Sequence, residues 1–284
     1  MTPSSRGVVA AGHAATAEAG AVILREGGNA VDAAVAAVCT SFIAEPVLTG
    51  AGGGGFLLLH EQGGKSMLYD GFARMPGGKL PPEPDFRAIP IDFGDAVQTF
   101  HTGRASVATP PLLAMLFAAH GHHGRLPLRE VLAPAMAAGK DGIRMNALQA
   151  SFLRLLEPIL SAEPECWRLH APNGELPAAG ELFRNPELAN TLEMLACEGI
   201  GEMYHGDLAR AIATACTPGG LLGMDDLAQD QVCLRTPLKL ETMDGQLLTN
   251  PPPSSGGCLI AFTLQLIEML KQQRPGLSPA VMLA

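Results

Sequence analysis

Apolar residues along this chain recur at helical spacing in some stretches and at strand spacing in others. Gly7-Val8-Val9-Ala10-Ala11 predicts a short buried strand, and His13 to Glu26 a helix closed by Gly27-Gly28. Asn29 then caps a helix from Ala30 to Ala44, with Asp32 in the first turn, where the helix dipole favours negative charge. Alanine and valine occupy almost every face of that helix, which predicts burial on most sides, and Pro46 stops it. Phe56 to His60 and Ser66 to Tyr69 flank the polar turn Glu61-Gln62-Gly63-Gly64-Lys65, a hairpin pattern whose end delivers Asp70 to Pro76.

Residues 76–105 carry much Pro, Gly and Asp without a helical period, so they predict an ordered loop with short strands. Helices follow over Leu112 to His120, Pro127 to Gly139, Asn146 to Leu160, Asn185 to Cys197 and Asp207 to Cys216, with a short one at Met224. Glu163 to Gly180 reads as a polar crossing. Val232 to Leu240 and Gln246 to Thr249 read as strands around Met243-Asp244-Gly245, and Cys258 to Leu270 as an apolar helix. No internal repeat or dividing linker is visible, so residues 1–284 read as a portion of a single domain, α+β in content and α/β by alternation.

The glycine run Gly52 to Gly55 stands between the buried helix and the first strand. Lacking every Cβ, it permits positive φ and close approach by another segment, and its apolar flanks distinguish it from a linker. It fails as a phosphate loop because no Gly-Lys-Ser/Thr follows and its sequel reads as a strand.

Hydrophobic residues make up 47% of the 284 and charged residues 17%, enough for a large core, yet no unbroken apolar run is long enough to span a membrane. A net charge of -9 argues against nonspecific nucleic-acid or acidic-membrane binding, which needs a basic face. The six cysteines are scattered without a C-x-x-C pair and read as reduced residues, pointing to the cytoplasm. A leader removed before residue 1 would instead place the protein in the periplasm or outside the cell.

Candidate chemistry is sparse. Ser254-Ser255-Gly256-Gly257 could offer a nucleophile beside helix N–H groups, but no His-Asp partnership is assignable, and a serine opening a helix is the simpler reading. His120-Gly121-His122-His123 suggests a metal site; the absence of a Cys or carboxylate nearby in sequence favours a solvated connection between helices. Neither a metal nor an organic cofactor is called for.

Taken together, Gly27-Gly28-Asn29-Ala30-Val31-Asp32-Ala33-Ala34, Gly52-Gly53-Gly54-Gly55-Phe56, Ala108-Thr109-Pro110, Pro134-Ala135 with Asp141-Gly142, Arg235-Thr236-Pro237 and Pro251-Pro252-Pro253-Ser254-Ser255-Gly256-Gly257 closely resemble the γ-glutamyltranspeptidase family, over nearly the whole chain. The resemblance implies an N-terminal-nucleophile hydrolase with a four-layer αββα sandwich. In that family a precursor cleaves itself into large and small subunits, and the new N-terminal threonine of the small subunit attacks a γ-glutamyl amide. This chain corresponds to the large subunit, so no catalytic residue is expected in it. A small catalytic subunit from the same precursor is the implied partner, and a dimer of such heterodimers is left open. The alternative is a noncatalytic binding or scaffold homologue of the same fold.

One departure bears on specificity. The family pattern Asp-Phe-Arg-Glu-x-x-Pro, whose arginine grips the substrate carboxylate, is here Asp70-Gly71-Phe72-Ala73-Arg74-Met75-Pro76. Alignment on Asp70 and Pro76 puts Phe72 at the arginine position and moves the guanidinium two residues along, roughly 7 Å on an extended segment. Asp70, Phe72 and Arg74 are therefore the expected substrate-binding residues, with γ-glutamyl recognition altered towards that of the family's acylases, unless a bulge lets Arg74 reach the same carboxylate.

Overall fold

The computed structural model describes residues 7–217, 219–229, 231–242 and 245–273. Helix α1 (Ala14–Arg25) begins where the His13 side chain accepts the Ala15 N–H, and it gives way at Gly27, whose φ of 99° suits glycine. Helix α2 (Ala30–Ala44) opens with a capping box: Asn29 accepts the Val31 and Asp32 N–H groups while the Asp32 carboxylate accepts the Asn29 N–H. As the all-round alanine and valine pattern requires, α2 is buried on nearly every side.

Next come β1 (Gly55–His60), β2 (Ser66–Gly71), β3 (Arg87–Asp92) and β4 (Val97–Thr102). Helices α3 (Leu112–His123) and α4 (Leu128–Asp141), strand β5 (Ile143–Arg144), helices α5 (Ala147–Leu155), α6 (Glu157–Leu160) and α7 (Pro164–His170), and strand β6 (Leu182–Phe183) follow. The remaining elements are α8 (Pro186–Glu198), α9 (Gly201–Tyr204), α10 (Asp207–Ala215), α11 (Met224–Leu227), β7 (Cys233–Arg235), β8 (Leu238–Thr242), β9 (Gly245–Thr249) and α12 (Ser255–Gln273).

These elements form two compact units. The first runs up to Gly54 and resumes over Phe72–Gln231. Its core is a helix stack in which α2 packs on α1 and α4, and α4 on α8, around Ile23, Val35, Ile43, Leu132, Ala135, Leu192 and Leu195. Small residues let these helices approach closely: a Cβ at Gly139 of α4 would lie 2.8 Å from the Asn185 carbonyl oxygen ahead of α8. The second unit is Gly55–Gly71 with the chain from Val232 onward. It holds the antiparallel sheet β1-β2-β7 and the β8–β9 hairpin, on which α12 packs. Gly257 is needed there, because a Cβ would overlap the Asn250 carbonyl.

Several expectations are corrected. Gly7 to Ala11 forms no strand: among the described residues nothing pairs with it, and Val8 is 96% exposed. A strand needs a ladder partner as well as apolar residues. The segment from Asn146 to Leu160 is broken at Leu156 into α5 and α6, and the supposed crossing from Glu163 contains α7. Thr236-Pro237 splits the run from Val232 to Leu240 into β7 and β8, since proline withholds a ladder donor. The turn at Met243-Asp244 lies outside the described residues.

The histidine cluster belongs to the last turn of α3, not to a loop. Although Asp32 is distant in sequence, its carboxylate oxygen lies 3.5 Å from His120 Nε2, which also bonds the Leu126 carbonyl at 3.0 Å. No glycine from Gly50 to Gly55 adopts positive φ, and a Cβ at Gly50 or Gly52 would meet nothing within 4 Å. At Gly53 the fit is tight, since a Cβ would lie 3.0 Å from the Gly50 carbonyl oxygen, and there the chain turns and accepts the Leu112 N–H at the start of α3.

Candidate functional site

The segment singled out in the sequence begins inside the second unit. Strand β2 pairs antiparallel with β1, Phe56 opposite Asp70, and with β7, Asp70 opposite Cys233. Arg235 lies two residues along β7 from Cys233 and so on the same face as Asp70. Its Nε donates to Asp70 Oδ2 at 2.6 Å. With its side chain only 11% exposed, Asp70 is engaged within the sheet by a charge-assisted bond that ties β2 to β7.

After Gly71 the chain enters the first unit, where Phe72, Arg74 and Met75 are exposed and Pro76 is buried. Phe72 is 58% exposed, unusual for an aromatic side chain. The backbone beneath these side chains is tied down. Arg74 N–H donates to Thr109 Oγ1 at 3.0 Å, and the Arg74 carbonyl accepts both the Thr109 hydroxyl at 3.1 Å and the Thr109 N–H at 2.9 Å. Three residues on, Gly77 N–H donates to Asp226 Oδ1 at 2.6 Å, while Asp226 Oδ2 accepts the Gly223 N–H that opens α11. A Cβ at Gly78 would lie 2.6 Å from the Leu221 carbonyl oxygen, so the loop runs directly against that backbone.

Thr109 is itself held. The buried Tyr204 hydroxyl donates to the Pro110 carbonyl at 2.5 Å and accepts the Ala114 N–H at 3.3 Å. Burial pushes the Tyr204 pKa up to about 12, so the phenol stays protonated and remains a donor. Thr109, Asp226, Tyr204 and the role of Arg235 were missed from sequence. Thr109 and Arg235 fall in motifs noticed there, but nothing local indicates what they bond.

Among the described residues, three thiols are disfavoured as nucleophiles. Burial pushes the Cys39 thiol up to about 12 and raises Cys166 and Cys216 as well, which makes them poor thiolates. Ser254 N–H closes a turn onto the Pro251 carbonyl, and Ser255 begins α12. Among the described residues no three His, Cys, Asp or Glu side chains are grouped to hold a metal, and no helix is long and apolar enough to cross a membrane. Two cavities of the first unit lie elsewhere. One of about 890 Å³ is lined by residues including Arg144, His170 and Arg184, another of about 780 Å³ by residues including Val9, Ala33 and Glu45, and neither is lined by Phe72–Gly77.

The family model for γ-glutamyltranspeptidase matches residues 16–282. This chain belongs to the γ-glutamyltranspeptidase family. It is 32% identical to the glutathione hydrolase proenzyme of Escherichia coli, over 98% of this chain and 47% of that protein. To glutathione hydrolase 2 of Arabidopsis thaliana it is 30% identical, over 92% of itself and 44% of the relative. An Acylase ACY 1 proenzyme from Pseudomonas sp. is also 30% identical, over 93% and 48%. The chain thus spans under half the length of these relatives.

Among solved structures it is similar to the γ-glutamyltranspeptidase from Pseudomonas nitroreducens complexed with L-DON, at a TM-score of 0.82 and 29% identity over 96% of this chain and 79% of that one. The Helicobacter pylori γ-glutamyltranspeptidase gives 0.83 and 25%, over 98% and 80%. The fold of this γ-glutamyltranspeptidase-family chain is accordingly the α+β fold of N-terminal-nucleophile hydrolases, as the sequence motifs implied.

Proposed function

We propose that residues 1–284 are the large-subunit portion of a self-processed amide hydrolase or acyltransferase, whose threonine nucleophile lies on a companion chain from the same precursor. The observation that carries this reading is a coverage mismatch: the chain matches relatives named proenzymes over 93–98% of itself but only 47–48% of them. In the proposed reaction the threonine hydroxyl attacks the carbonyl of a γ-glutamyl or related acyl amide, and its own α-amine takes the hydroxyl proton. That proton then passes to the departing amine as the C–N bond breaks. Water or a second amine attacks the ester, returns a proton and frees the threonine.

The acyl group is the less conventional part. An exposed Phe72 where the family pattern has arginine favours an acyl group recognised partly by apolar contact, and the similarity to an acylase proenzyme agrees with this. The test uses the complete precursor, first weighed by intact mass to identify two cleaved chains. Its turnover of γ-glutamyl-p-nitroanilide is then compared with that of butyryl-p-nitroanilide, which lacks the α-amino and α-carboxylate groups. The expected result is two chains and a KM for the butyryl amide no higher than for the γ-glutamyl one. A single uncleaved, inactive chain would favour the binding-protein alternative. A low γ-glutamyl KM that is lost in Arg74→Ala would overturn altered recognition.

A further inference from the structure

We infer that Thr109 and Asp226 are positioning residues for substrate recognition, holding the Phe72–Gly77 segment in one backbone conformation so that Phe72, Arg74 and Met75 meet the acyl group preformed. The inference rests on the recognition role proposed above for that segment.

Three exposed side chains within four residues would ordinarily mark a mobile loop, whose ordering on binding lowers affinity. Here the backbone bonding contradicts mobility. One hydroxyl, that of Thr109, satisfies both backbone polar groups of Arg74, accepting from its N–H at 3.0 Å and donating to its carbonyl at 3.1 Å. A hydroxyl has one proton and spare lone pairs, so this reciprocal arrangement is complete. The Thr109 N–H adds a third bond to the same carbonyl. At the other end the buried Asp226 carboxylate accepts the Gly77 N–H, and between the two anchors Pro76 is buried with its φ fixed by the ring.

The anchors are separately braced. Thr109 is buried and followed by Pro110, whose carbonyl is fixed by Tyr204. Asp226 shares its second oxygen with Gly223 at the start of α11. Both lie far from Arg74 and Gly77 in sequence, 35 and 149 residues away, so the conformation of the segment is imposed by the fold and not by its own composition. A preformed segment spends little of its contact energy on being ordered, and the loss of an anchor should therefore appear in KM more than in kcat.

The test compares Thr109→Val, which keeps shape but removes both hydroxyl bonds, with Thr109→Ser, which restores them, in the complete processed enzyme. Amide hydrogen exchange at Arg74 and Gly77 reads the anchor without reference to activity. The expected result is faster exchange at Arg74 in Thr109→Val and a KM for the better of the two p-nitroanilides raised about 3- to 10-fold, with kcat nearly unchanged and recovery in Thr109→Ser. The half-buried Thr191→Val, which removes a hydroxyl bond to the Glu187 carbonyl on α8, serves as control and should change neither. Adding Phe72→Ala/Arg74→Ala to Thr109→Val should raise KM no further than that pair alone, because Thr109 acts through the same segment. Unchanged exchange, or unchanged KM in Thr109→Val while Phe72→Ala/Arg74→Ala raises it, overturns the positioning role alone. If Phe72→Ala/Arg74→Ala leaves KM unchanged, the recognition reading falls and takes this one with it, whatever the exchange shows.

Discussion

At the scale of single residues, buried polar groups here bond partners far away in sequence. Asp32 is fully buried on α2, and besides capping Asn29 it accepts the Arg125 N–H on both oxygens at 3.1 Å and the Leu126 N–H at 3.4 Å. It thus fixes the turn between α3 and α4 as well as its own helix. Replacing it with alanine removes the cap and strands partly buried donors, so Asp32→Ala should lower unfolding stability by about 2–4 kcal/mol, measured by urea denaturation. Loss below half a kcal/mol would mean that water replaces the carboxylate. Its place in the first turn behind the Asn29 cap was legible, because the helix pattern starts directly after Asn29. The second role was not, since 93 residues separate Asp32 from Arg125. Asp70, Phe72 and Arg74 were singled out by their place in the family pattern, which says nothing of their partners: the bonds of Asp70 to Arg235 and Arg74 to Thr109 cross long stretches of chain.

At the scale of elements, boundaries followed the punctuation of the sequence at Asn29, Pro127 and Asn185. Failures came where an element depends on a partner, as with Gly7 to Ala11, or where proline divides a run, as at Pro237. Helix α7, read as a crossing although Pro164 stands at its first position, is held by His170, whose ring stacks on Phe183 of β6 at 5.7 Å and donates from Nδ1 to the Cys166 carbonyl at 2.8 Å. Burial lowers the His170 pKa from its ordinary value of 6.5, outweighing the bond to Cys166. The sign of the consequence follows. Below about 6.5 the unfolded chain takes a proton that the folded one resists, so the contribution is full above that pH and declines as pH falls towards the lowered folded value. Unfolding midpoints measured between pH 5 and 7.5 should fall more steeply with acidification in the wild-type protein than in His170→Gln. Identical slopes would assign the acid sensitivity to other groups.

At the scale of the whole molecule, the second unit leaves apolar surface uncovered. Leu259, Phe262, Leu266 and Met269 recur along α12 at helical spacing and are all exposed. The proposed companion chain is the occupant this face suits, given that less than half of each similar proenzyme is accounted for here. Produced alone, the chain should self-associate in sedimentation and bind a hydrophobic dye; produced with the remainder of its precursor, it should do neither. A soluble, cooperatively folding monomer would count against that assignment. The same unit is built from two stretches of chain separated by the whole of Phe72–Gln231, and Asp70 meets Arg235 across 165 residues. During synthesis at 5–20 residues per second, the open edge of β2 would wait about 8–30 s for β7 to be made. For that interval its safety depends on timing rather than on equilibrium stability, so slowing translation across the intervening stretch should cost yield without altering the finished protein.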